Sequence, residues 1–68
     1  MKLWIARNIG GKLTLFEEEP YVVDGDWGTW RTYGNCMVID KELFPEVTFE
    51  NSPQQVEIKL IENEKYKK

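Results

Sequence analysis

Apolar and polar residues alternate from the start of the chain. Over Lys2 to Arg7, Leu3 and Ile5 fall on one face, and Lys2, Trp4 and Ala6 on the other. A period of two is the signature of a β-strand. Lys12 to Phe16 repeats it, with Leu13 and Leu15 on one face and Thr14 and Phe16 on the other. Between the runs lies Asn8-Ile9-Gly10-Gly11, rich in residues that accept positive φ. Two alternating runs joined by a short glycine-containing loop predict a β-hairpin. Its two aromatics, Trp4 and Phe16, then share a face as a cross-strand pair.

Beyond the hairpin the pattern is more broken. Glu17-Glu18-Glu19-Pro20 predicts an exposed corner, because adjacent carboxylates repel and proline cannot donate to a ladder. Tyr21-Val22-Val23 reads as a short edge strand and Asp24-Gly25-Asp26 as a turn. Trp27 to Asn35 is rich in strand formers but interrupted by glycines, which allows a bulged strand or a loop packed by its own aromatics. Alternation there places Trp27, Thr29, Arg31 and Tyr33 on one face and Trp30 and Thr32 on the other.

Cys36 to Ile39 predicts a further short strand. Asp40 to Phe44 predicts one helical turn, with Asp40 as N-cap, Leu43 and Phe44 folded inward, and Pro45 ending it. Glu46 to Glu50 predicts a strand with Val47 and Phe49 on one face. Gln54 to Ile61 predicts another, with Val56, Ile58 and Leu60 facing in. The resulting class is mostly β: a small antiparallel sheet or partly open barrel of about four to six short strands, with at most one short helical turn. It spans residues 1–62, and 63–68 form a polar tail.

At 68 residues, with 41% hydrophobic and 13% aromatic positions, the chain is a single domain that must use nearly every large apolar side chain. Its three Trp, three Tyr and three Phe carry much of the available area. The net charge of −3 argues against a nucleic-acid partner, whose affinity comes from neutralising phosphates, and against attachment to an anionic membrane. The nine cations are interspersed with the twelve acids, which also lacks the one-sided acidity of a DNA mimic. One cysteine permits no intrachain disulfide. Met1-Lys2-Leu3-Trp4-Ile5-Ala6 is too short for a secretory h-region and is broken at Arg7, so a cytoplasmic location is expected.

The residues that most chemistries need are missing. One cysteine and no histidine cannot build a zinc site, and neither Cys36 nor Ser52 has a histidine to act as base. Cys36 beside an apolar run reads as a buried, inert thiol. Asp24 and Asp26 have the spacing of a calcium loop, but its fifth, sixth and twelfth positions fall on Gly28, Thr29 and Asn35, so the match fails. Gly10-Gly11-Lys12 lacks the spacing, hydroxyl and helix of a P-loop. No enzyme activity, cofactor or metal is expected.

One positive feature remains. Trp27, Trp30, Arg31 and Tyr33 combine, within seven residues, the types enriched at binding hot spots. The bland reading places Trp30 and Trp4 in the core, leaving Trp27, Arg31 and Tyr33 as the candidate surface. Met1-Lys2-Leu3-Trp4-Ile5-Ala6-Arg7 and Leu43-Phe44-Pro45-Glu46-Val47-Thr48-Phe49-Glu50-Asn51-Ser52-Pro53 together resemble a group of small uncharacterised proteins of bacterial phage and mobile elements. That resemblance implies an intracellular accessory role and transfers no site residues. The expected function is a non-enzymatic protein-interaction module. It would bind a protein partner, or form a homodimer, through a sheet edge or the central aromatic segment. The alternative is a small-ligand or carbohydrate binder using the Trp and Tyr faces.

Overall fold

The N-terminal alternation folds as the hairpin it predicts. In the computed structural model, which describes residues 1–59, β1 (Lys2–Arg7) pairs antiparallel with β2 (Leu13–Phe16), and Trp4 lies opposite Phe16. The turn closes on itself: Asn8 N–H donates to the Lys12 carbonyl at 2.8 Å and Gly11 N–H to the Asn8 carbonyl at 2.9 Å. Gly11 supplies the φ of 104° that this path requires.

The later strands add one to each side of the hairpin. β3 (Cys36–Ile39) pairs antiparallel with β2, placing Leu15 opposite Met37 and Leu13 opposite Ile39. β4 (Gln54–Glu57) pairs antiparallel with β1, placing Leu3 opposite Val56. The sheet order is therefore β3-β2-β1-β4, an open sheet of four antiparallel strands, and no helix occurs among the described residues. The partly open barrel is not formed, because β3 and β4 end on opposite edges and do not meet.

Parity sorts the side chains. One face carries Leu3, Ile5, Leu13, Leu15, Met37, Ile39 and Val56; its core is Ile5, Leu13 and Val47, with Leu15, Ile39 and Val56 packed around them. The other carries Trp4, Ala6, Thr14, Phe16, Cys36 and Val38, of which Ala6, Thr14 and Phe16 are buried.

Val47 reaches the first face from the connection 40–53, which is organised by Arg7. Arg7 shares the inward parity of Leu3 and Ile5, and its guanidinium uses all five of its N–H donors on backbone carbonyls. Nε donates to Val47, Nη1 to Gly11 and Lys41, and Nη2 to Leu43 and Phe44. The backbone of Arg7 is held too, its N–H by the Ser52 hydroxyl and its carbonyl by the Trp30 indole N–H. These side chains continue the β1 ladder where the pairing with β4 has ended.

Several expectations need correction. Tyr21–Val23 is not an edge strand: only an isolated bridge between Tyr21 and Arg31 forms, because the sheet edge is taken by β3. For Trp27–Asn35, which allowed a bulged strand or a loop, the loop is the outcome. Glu46–Glu50 forms no strand, since its carbonyls and amides are used in turns: Val47 N–H bonds Phe44, Thr48 N–H bonds the Asn51 side chain, and Asn51 in turn bonds Glu46. Asp40 does start a turn, accepting from Glu42 N–H on its carboxylate and Leu43 N–H on its carbonyl. Leu43 and Phe44 do not fold inward, however, and remain 48% and 43% exposed. Their carbonyls face Arg7, which turns their side chains out, and Phe44 takes a left-handed φ of 49°.

At the C-terminal side, β4 ends at Glu57, short of the predicted Ile61. Ile58 keeps the inward parity and bonds Met1, but it is half exposed because nothing among the described residues covers that end of the sheet. Leu60, Ile61 and the 63–68 tail lie outside the described residues.

Candidate functional site

An open sheet has two edges, and here they are unlike. Backbone groups along a strand point alternately to its two neighbours. Glu17 N–H donates to the Asn35 carbonyl at 3.1 Å, which extends the β2–β3 ladder by one residue pair. Counting in twos, Met37 and Ile39 aim their N–H and C=O at β2, and Cys36 and Val38 aim theirs outward. On the far side, Met1 and Ile58 exchange hydrogen bonds, so Gln55 and Glu57 are the outward residues of β4.

The chemistry of the two edges differs accordingly. β4 is preceded by Pro53 and carries Gln55 and Glu57, with Lys59 beside Glu57 at 3.9 Å. Proline and charge are the usual guards of a sheet edge. β3 has neither. It is the uncharged run Cys36-Met37-Val38-Ile39, with Met37 60% and Val38 56% exposed. Cys36 is exposed as well, which corrects the expectation of a buried thiol: an apolar neighbourhood in sequence does not bury a residue on an edge strand.

Beside this edge no described residue covers the first sheet face. Leu3, Leu15, Met37 and Ile58 bound a shallow apolar depression of about 200 Å³. The Val47 connection covers the opposite end and does not reach it. On the second face, Thr29–Thr32 runs along the sheet, and a groove of about 290 Å³ separates it from Val38 and Cys36. Met37 therefore borders one concavity and Val38 the other.

The aromatic candidates fall into separate groups. Trp27 is exposed and meets Phe49 edge-on at 5.3 Å, and Trp30 meets the same ring at 6.1 Å. Trp30 is half-buried and tied down, its N–H donating to the Asn8 side chain and its indole N–H to the Arg7 carbonyl, both at 3.1 Å. Arg31 forms an ion pair with Asp26, whose own N–H closes a turn onto Val23 around Gly25.

Tyr33, 90% exposed, stacks on Tyr21 at 5.3 Å and 31°. Hydrogen bonding to the Tyr33 hydroxyl, followed by desolvation, raises the Tyr21 phenol above its ordinary value. Among the described residues no ring contact joins the Tyr21–Tyr33 pair to the tryptophans. Of the four candidates, Trp30 and Arg31 thus line the groove beside Val38, Trp27 joins Trp30 through Phe49, and Tyr33 pairs instead with Tyr21.

The residues of the β3 edge were the ones missed from the sequence. Their signal was present as four consecutive residues without charge, proline or glycine. What the run could not show was which strand ends the sheet. Compared with family models, curated proteins and solved structures, the chain matches none.

Proposed function

We propose that this chain is a non-enzymatic protein-interaction module that takes up an extended segment by strand addition to β3. The observation that carries the reading is the contrast between the edges, one guarded by proline and charge, the other bare and apolar. In strand addition the main chain supplies affinity, and pockets for alternate side chains supply selectivity. Here the outward N–H and C=O groups of Cys36 and Val38 supply the first. The depression beside Met37 and the groove beside Val38 supply the second.

Val38→Pro tests this with little damage to the sheet, because the amide it removes points away from β2. Amide exchange followed by NMR on the wild type is the direct readout: adding a bound segment slows exchange at Cys36 and Val38 and leaves Gln55 and Glu57 unchanged. Partner retention is then compared among wild type, Val38→Pro, Trp27→Ala and Arg31→Ala. Loss confined to Val38→Pro supports the edge. Full retention by Val38→Pro with loss in either of the other two moves the site to the aromatic segment. A small-ligand or carbohydrate binder has less support, since Trp27 and Trp30 meet at Phe49 but Tyr33 pairs with Tyr21. A flat tryptophan-fluorescence response to a glycan and nucleotide panel is the expected result.

A further inference from the structure

The segment that the β3 edge fits best is a second β3. Resting on the strand-addition reading above, we infer that two copies of the chain pair edge to edge through β3, antiparallel and across a two-fold axis at Met37. Such a pair joins the four-stranded sheets into one of eight strands.

Register selects this pairing. A two-fold axis perpendicular to the sheet keeps each face on its own side, so opposed residues must share parity. Three short registers satisfy this, centred on residue 36, 37 or 38. Centring on Cys36 pairs Gly34 with Val38 of the second copy, but the Gly34 N–H is already given to the Thr32 hydroxyl at 3.0 Å. Centring on Val38 pairs Cys36 with Asp40, whose carbonyl already accepts the Leu43 N–H at 3.0 Å. Centring on Met37 pairs Cys36 with Val38 twice over. It uses the four outward groups of those residues in each copy, none of which is engaged elsewhere among the described residues.

Side chains agree with this register. Met37 lies beside its own symmetry mate, so the two depressions bounded by Leu3, Leu15, Met37 and Ile58 merge into one apolar strip. Cys36 and Val38 of the two copies pack together on the other face. Residues 36 to 39 are uncharged, and Asp40 falls opposite Gly34, so no like charges are opposed. The contact is small, which places it among weak, concentration-dependent associations.

Sedimentation equilibrium from about 10 µM to 1 mM, a range that spans weak association, reads the dimer directly. Val38→Pro deletes two symmetry-related hydrogen bonds, each worth about tenfold, so self-association falls about a hundredfold while near-UV circular dichroism stays native. Register is read by diamide oxidation of single-cysteine chains. Met37→Cys in a Cys36→Ser background yields a crosslinked dimer, because non-hydrogen-bonded neighbours lie about 4.5 Å apart at Cα, within disulfide reach. Wild type and Val38→Cys in the same background do not crosslink.

A wild type that stays monomeric to about 1 mM overturns the pairing. So does crosslinking through Cys36 or Val38→Cys in place of Met37→Cys. If the chain is monomeric but a separate partner still protects the Cys36 and Val38 amides, strand addition stands and only self-pairing fails. If nothing protects them, both fail.

Discussion

Replacing Arg7 by Met keeps most of the side-chain volume and removes all five hydrogen bonds that hold the 40–47 connection to the sheet. The acceptors are not equivalent. Those of Gly11 and Val47 are part-buried, whereas those of Lys41, Leu43 and Phe44 are open to water. A shielded hydrogen bond to a charged group contributes about 1.5–3 kcal/mol. An exposed one contributes about 0.5 kcal/mol, since water takes its place. Recovered desolvation of the guanidinium offsets part of the sum, leaving a loss of about 3–5 kcal/mol.

For a domain of 68 residues the whole stability is about 3–10 kcal/mol, so the variant is marginal or unfolded at room temperature. Arg7→Lys retains the charge but offers three donors on one nitrogen and cannot span the five carbonyls; it is expected to lose about half as much. Urea denaturation followed by tryptophan fluorescence gives both differences, since Trp30 is bonded to the Arg7 carbonyl. No carboxylate faces the guanidinium in its hydrogen-bond set, so raising ionic strength leaves the difference between Arg7 and Met within about 0.5 kcal/mol. An Arg7→Met chain as stable as wild type, or equal to Arg7→Lys, refutes the reasoning, and a strong salt dependence points to an ion pair instead.

Other outcomes follow from single contacts. Gly28 has φ 96°, and a Cβ built on it meets Ile9 Cγ2 at 2.6 Å, so Gly28→Ala costs about 2–3 kcal/mol in thermal or urea unfolding. Adding Ile9→Ala removes the Cγ2 clash and leaves the 3.3 Å approach to the Ile9 Cβ together with about 1 kcal/mol of backbone strain. Trp30→Phe removes the indole donor to the Arg7 carbonyl and costs about 1–2 kcal/mol, whereas Trp27→Ala, at a 69% exposed site, costs less than about 1 kcal/mol. Equal losses at the two tryptophans would contradict the assignment of Trp30 as the structural one. Tyr33→Phe lets the Tyr21 phenol fall back toward its ordinary value in a spectrophotometric pH titration, and an unchanged curve removes Tyr33 as the cause.

Legibility in the sequence tracked how local each determinant was. The hairpin needs only Lys2 to Phe16: alternation sets the faces, Asn8–Gly11 sets the turn, and together they place Trp4 opposite Phe16. β3 was legible as a strand for the same reason. The long connections were not. Trp, Thr and Tyr favour strands only where an edge accepts them, and between Tyr21 and Arg31 a single bridge was all the geometry allowed.

Glu46–Glu50 showed a true alternation with another origin. Val47 enters the core and Phe49 the tryptophan cluster, from turns fastened by Arg7. The signal that could have exposed Arg7 was parity, a charged residue on the apolar face of Leu3 and Ile5. For the site, the composition of β3 was plain, but its place at the rim of the sheet depends on β4 choosing β1, a pairing across the whole chain.

The grip of Arg7 has a further consequence for what the 40–47 connection can become. Its guanidinium recognises main-chain oxygens, which every residue type provides, and asks nothing of the side chains at 41 and 43. Those side chains already point into solvent beside Phe44. The connection is thus a platform held from beneath whose upper lettering is free. Diversified sequences can be written at Lys41, Glu42 and Leu43 while the sheet stays as it is, with Gly or Asn at Phe44 suiting the left-handed turn better than the residue now there.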